Sequence, residues 1–126
     1  MGQVLVATAR HAADLLASLF VEGVTEKLAV LYLDAERRML GLEEYPGQTD
    51  EAALPFRRMF ASALRRDAVG MVIAHNHPSG DPRPSEADIE ATRRLAAAGA
   101  ALDIILHDHL IFAGGECRSF RELGLL

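Results

Sequence analysis

An apolar run, Val69-Gly70-Met71-Val72-Ile73-Ala74, leads without interruption into His75-Asn76-His77 and then into Pro78-Ser79-Gly80-Asp81-Pro82-Arg83-Pro84. This junction constrains the fold more than any other stretch. Consecutive apolar residues without polar alternation read as a strand buried on both faces. The prolines and the glycine that follow continue neither a strand nor a helix, so the chain must turn compactly. Ser85, followed by Glu86 and Asp88, has the form of a helix N-cap with acids in the first turn. A buried strand, a tight turn and a helix therefore follow one another directly.

That succession brings chemistry together. Residues two apart on an extended chain point the same way, so His75 and His77 project jointly from the strand's C-terminal end. Asp88, one turn into the helix, can bring its carboxylate back toward both imidazoles. Two imidazoles and one carboxylate leave a fourth position for water, the donor set of an open zinc site. The plainer alternative is an ordinary strand-to-helix connection carrying a surface pair of histidines.

The rest of the chain reads as a mixed α/β order. Ala12, Leu15, Leu16, Leu19 and Phe20 fall at helical spacing, predicting an amphipathic helix over 8–20. A buried strand is expected over 27–33, then a turn over 34–37 and a second strand over 38–45, ended by Pro46-Gly47. A second helix is expected over 54–66, with Phe56, Met59, Phe60, Ala63 and Leu64 on one face. The helix opened by Ser85 is expected to run to Ala98 with Gly99 as its C-terminal stop. Two further strands over 101–106 and 109–113 complete a central sheet with helices on both faces.

Composition sets the outer bounds. At 126 residues, half of them hydrophobic and a quarter charged, the chain reads as a single globular domain over 1–126. Its apolar runs are shorter than the roughly 20 residues that cross a bilayer, and the N-terminus lacks a signal pattern, so no membrane association and a cytoplasmic location are expected. Cys117 is the only cysteine, so it has no partner for an intramolecular disulfide and reads as a partly buried thiol. A net charge of −5 argues against direct nucleic-acid binding, which depends on neutralising phosphates. The Arg37-Arg38, Arg57-Arg58, Arg65-Arg66 and Arg93-Arg94 pairs are scattered among acids rather than arranged as a stripe.

His75, His77, Ser85 and Asp88 match, without a gap, the pattern His-x-His, seven residues, Ser, two residues, Asp. In this the chain resembles the JAB/MPN (JAMM motif) metalloprotease family. The string His75-Asn76-His77-Pro78-Ser79-Gly80-Asp81-Pro82, Asp108-His109, Gly114-Gly115 and the closing Ser119-Phe120-Arg121-Glu122-Leu123-Gly124-Leu125-Leu126 resemble its RadC-like branch in particular. The resemblance covers about 26–126. It implies a cytidine-deaminase-like αβα fold and one Zn²⁺ per chain, held by His75, His77 and Asp88. It also implies a hydrolase cleaving a peptide or isopeptide bond in a peptide or protein substrate. A Glu upstream of the histidines serves that family as general acid/base. Glu26, directly before the 27–33 strand, fits best, with Glu22 as the fallback and Glu43 and Glu44 placed less well on the following strand; a solvated loop acid is the plainer reading of Glu26. Ser85 would stabilise an oxyanion, although the same hydroxyl is well placed as an N-cap.

Two departures bear on the substrate. Asn76 stands where deubiquitinating members carry Ser or Thr, and the chain has no room for the long insertions with which those members grip ubiquitin. RadC-type chains also usually carry an N-terminal helix-hairpin-helix region, which is not read in 1–126. A second class of function is a DNA-repair-associated binding module in which the metal is structural. A His-Asn-His nuclease and a zinc deaminase are excluded, the latter because one cysteine cannot supply the deaminase ligands. His107-Asp108-His109 repeats the His-x-His spacing and is read as structural, or as a support to the site. His11 has no evident partner, the 46–55 loop is left as a cover or a packing surface, and a homo-oligomer is left open.

Overall fold

The computed structural model describes residues 4–20, 25–46 and 54–126. Glu22 and most of the 46–55 loop lie outside them. Among these described residues, three α-helices and five strands are formed: α1 (Ala9–Leu16), β1 (Lys27–Leu33), β2 (Met39–Pro46), α2 (Phe56–Arg65), β3 (Gly70–Asn76), α3 (Glu86–Ala101), β4 (Ile105–Ala113) and β5 (Glu116–Ser119). The strands make one sheet in the order β2-β1-β3-β4-β5. Only the β3–β4 pair is parallel; β1 runs antiparallel to both β2 and β3, and β5 antiparallel to β4.

The sheet is covered on both faces, which is the αβα layering expected. On one face Leu28, Val30, Tyr32, Met71 and Ile73 pack with Met59, Phe60 and Ala63 of α2 and Leu95 of α3. On the other, Ala29, Leu31, Leu33, Val72 and Ala74 pack with Val6 and with Ala12 and Leu16 of α1. β3 is buried along its whole length, as its unbroken apolar sequence requires.

Helix ends follow local chemistry. The Thr8 hydroxyl accepts the His11 amide and starts α1, whose helical path tightens into a 3-10 turn over Ala17–Leu19. Ser85 and Asp88 form a reciprocal capping box at the start of α3. Gly99, however, does not stop that helix, which continues to Ala101. The glycine is needed for close approach instead, because a Cβ there would lie 2.5 Å from the Ile104 carbonyl oxygen.

The C-terminal half departs from the expected strand plan. In place of separate strands over 101–106 and 109–113, one strand spans Ile105–Ala113, and the pairing with β3 slips between Leu106 and Asp108. This β-bulge at His107 absorbs the polar interruption that had suggested two strands. β5, too short to give a periodic signal, is fastened by Asp108. Its buried carboxylate accepts from the Ser119 hydroxyl at 2.5 Å, the Arg121 amide at 3.1 Å and the His109 amide at 2.7 Å.

Candidate metal centre

The two histidines and Asp88 come together where β3 ends and α3 begins. His75 and Asp88 are 8 % and 2 % exposed, and His77 is half-buried. The Nε2 atoms of His75 and His77 are 3.0 Å apart. The Asp88 carboxylate reaches His77 Nε2 at 3.1 Å and His75 Nε2 at 3.5 Å. Metal–nitrogen and metal–oxygen bonds near 2.0–2.1 Å in a tetrahedron place ligand atoms about 3.3 Å apart, so this donor triangle has the size a zinc-like ion needs.

The surroundings of the triangle fit the same chemistry. His77 Nδ1 lies 2.9 Å from the Asp81 carbonyl oxygen. A carbonyl can only accept, so His77 Nδ1 carries the proton and donates, and its Nε2 lone pair is turned toward His75 and Asp88. Burial alone would raise the Asp88 carboxyl, but the nearness of His75 and the hydrogen bond donated by the Ser85 backbone hold it well below the usual carboxylate range. The acid is therefore a carboxylate at any ordinary pH, and lone pairs converge there from three sides.

The turn between His77 and Asp88 is braced locally. Asp81 is held down to about 2 by the Arg83 side chain and backbone amide, and the Arg83 guanidinium reaches it at 2.7 Å. His77 accepts the Gly80 amide on its own carbonyl and donates its backbone N–H to Phe112 of β4. His77 is thus anchored at both its backbone and its ring.

Glu26 lies half-buried immediately before β1. Leu28, Val30 and Tyr32 face α2 and α3 together with Met71 and Ile73. Continuing both alternations turns Glu26 to the face of His75 and His77. Glu26, His77 and Ser85 line one cavity of about 410 Å³. The Ser85 hydroxyl oxygen accepts the Asp88 amide at 3.0 Å, while the Ser85 amide donates to the Asp88 carboxylate at 3.0 Å. Glu43 and Glu44 sit on β2, beyond β1 from the histidines; Glu44 is paired with Lys27 at 3.0 Å and Glu43 accepts from Tyr45. A second, open groove of about 810 Å³ reaches His77 from the α1 side, bordered by Phe20, Asn76, Phe112 and Gly114.

A sequence model of the RadC-like JAB domain matches residues 6–125. The chain belongs to the RadC-like JAB domain family. Similar relatives are UPF0758 proteins. One from Thermosynechococcus vestitus is 38 % identical over 96 % of this chain and 49 % of its own length. Another from Rhodobacter capsulatus is 43 % identical over 81 % and 48 %, and one from Symbiobacterium thermophilum is 44 % identical over 80 % and 44 %. This RadC-like JAB domain chain therefore spans about half the length of the curated relatives it matches.

Two groups outside the ligand set brace this part of the RadC-like domain, one of them from the 107–109 stretch read as structural or as a support to the site. Asn76 accepts the Lys27 amide at 2.8 Å and donates to the Thr25 carbonyl at 3.3 Å, so its side chain grips the backbone on both sides of Glu26. His109, 2 % exposed, lies with Nε2 2.7 Å from His75 Nδ1 and Nδ1 2.7 Å from the Thr92 hydroxyl. Burial, and then the nearness of His75, pushes His109 well below the usual histidine range, so it is neutral. His107 does not reach the centre; it lies over Gly70, lowered to about 4 by burial and by Arg37 and Arg121. Thr92 was legible in principle, since it stands four residues after Asp88 on the same face of α3.

Proposed function

We propose that this chain is a zinc-dependent metallohydrolase that cleaves a peptide or isopeptide bond. The observation that carries the reading is the convergence of His75, His77 and Asp88 into one group able to hold a metal, beside a cavity lined by Glu26 and Ser85. A zinc ion held by those three residues would supply Lewis-acid chemistry, lowering the pKa of water at its open position toward about 7 and polarising a carbonyl. Glu26 takes the proton of the attacking water and returns it to the leaving amine. Ser85 spends an oxygen lone pair on its cap and keeps its hydroxyl proton to donate to the oxyanion of the tetrahedral intermediate. Asn76 holds Glu26 in place from below. The two depressions that meet at His77 give an extended peptide a path on either side of the scissile bond.

Several arginines have structural partners, which lends no support to a phosphate-binding stripe. Arg58, Arg66 and Arg94 lie over the rings of Tyr45, Tyr32 and Phe56. The test is metal content by mass spectrometry on untagged wild type, His77→Ala and Glu26→Gln, followed by a peptide-library screen. The expected result is about one zinc per chain in wild type and Glu26→Gln, loss of zinc in His77→Ala, and turnover only in wild type. Zinc bound equally in wild type and Glu26→Gln with equal turnover would overturn the role of Glu26. Zinc without turnover on any peptide, together with salt-sensitive DNA binding, would replace the hydrolase by a repair-associated binding module with a structural metal.

A further inference from the structure

Beneath the donor triangle runs a closed line of buried hydrogen bonds. His75 Nδ1 meets His109 Nε2 at 2.7 Å, and His109 Nδ1 meets the Thr92 hydroxyl at 2.7 Å. That hydroxyl meets the backbone carbonyl oxygen of Asp88 at 2.6 Å. The side chain of Asp88 faces His75 Nε2, so the line begins and ends on the donor group itself.

The direction of every bond follows from its last acceptor. A carbonyl oxygen has no proton to give, so Thr92 must donate to Asp88. Its single proton is then spent, and the hydroxyl can only accept from His109 Nδ1–H. His109, protonated at Nδ1, presents a bare Nε2, which accepts from His75 Nδ1–H. His75 is left with its Nε2 lone pair facing His77 and Asp88. The rings cannot easily reorient, because His109 stacks on Phe120 with centroids 4.3 Å apart and planes 17° apart, and Phe120 and Thr92 are 0 % and 1 % exposed.

We propose that His109 and Thr92 are positioning residues that lock His75 in its Nδ1–H tautomer, presetting the site for a divalent cation by keeping a proton off the atom that must bind it. Which ring nitrogen of a histidine is bare is set by the bond its other nitrogen makes; here that bond is dictated by a helix carbonyl three links away. This inference rests on the metal reading of the centre.

The experiment reads the two separately. Long-range ¹H–¹⁵N correlation spectra of the metal-free full chain report the His75 tautomer, and titration with zinc against a competing chelator reports affinity. Both are recorded for wild type, Thr92→Val and Thr92→Ser. Wild type and Thr92→Ser are expected to show His75 protonated at Nδ1 and to bind zinc within threefold of each other. Thr92→Val, nearly isosteric but without the hydroxyl, is expected to place protons on His75 Nε2 and to lose about 10- to 100-fold in zinc affinity. If Thr92→Val fails to fold, His109→Gln, whose amide oxygen can still accept from His75, is expected to keep the affinity that His109→Leu loses. A wild-type His75 protonated at Nε2, or a folded Thr92→Val with wild-type tautomer and affinity, would overturn the relay and leave the metal reading standing. A relay tautomer in a protein that takes up no zinc would overturn the metal reading, and with it the presetting.

Discussion

The side-chain carbonyl of Asn76 accepts the backbone N–H of Lys27 at 2.8 Å, which makes the residue between the two histidines the fastener of the segment that carries Glu26. His75 and His77 point to one face of β3, and the residue between them is free to bind the neighbouring strand. Asn76→Ala is expected to lower peptide turnover by about 100-fold through misplacement of Glu26. Zinc affinity should stay within about threefold, because no ligand is touched. Equal losses of zinc and turnover would show that Asn76 supports the ligands instead.

Ser85 offers a separation of two roles. Replacing an N-cap serine by alanine costs about 1 kcal/mol, so Ser85→Ala should lose about that much unfolding free energy, seen as a lowered urea midpoint. If its hydroxyl also serves the oxyanion, turnover falls by a further 100- to 1,000-fold or so in protein that is fully folded. Urea melts and turnover on the same preparation decide whether the cap is the only role.

Gly99→Ala reverses the usual expectation for a glycine in a helix. In an open helix the change would stabilise by roughly 0.8–1 kcal/mol. Here the new Cβ would meet the Ile104 carbonyl oxygen at 2.5 Å, so α3 must move away from the start of β4. A net loss of about 1–3 kcal/mol is expected, read as a lowered urea midpoint with unchanged slope.

Cys117 should be a slow nucleophile. Burial, then Asp108 and Glu122, pushes its thiol up to about 11, so the thiolate is scarce at neutral pH. Alkylation by iodoacetamide is expected to be far slower in the folded chain than in urea. The folded state holds this proton more tightly than the unfolded chain, whose thiol titrates near 9.0. Its contribution to stability is therefore intact below pH 9 and declines as the pH rises toward 11, which urea melts across that window would register.

The site was legible where one short stretch of sequence carried it. His75, His77, Ser85 and Asp88 lie within fourteen residues, and a strand, a turn and a capped helix have periods that fix where their side chains point. The β1 and β2 strands and the starts of α1, α2 and α3 were legible for the same reason. What was not legible depended on contacts between distant segments. Asn76 was seen as a departure from a pattern, because its bond to Lys27 exists only when β1 pairs with β3. Gly99 was read as a stop because a backbone approaching from Ile104 leaves no trace in local composition. β5 is held by one buried carboxylate rather than by its own periodicity.

The bulge at His107 acts as a frame shift in the sheet. Leu106 faces the α2 and α3 side, whereas Leu110 and Phe112, at even separations from it, face the α1 side. In an unbroken strand all three would share a face, and His109 would point away from His75. One extra residue reverses the phase of everything after it, so the His-x-His spelling at 107–109 places its two rings in different environments. Deleting His107 would remove the extra residue itself, and the shortened strand that results would keep His109 opposite Ile73, on the face of His75.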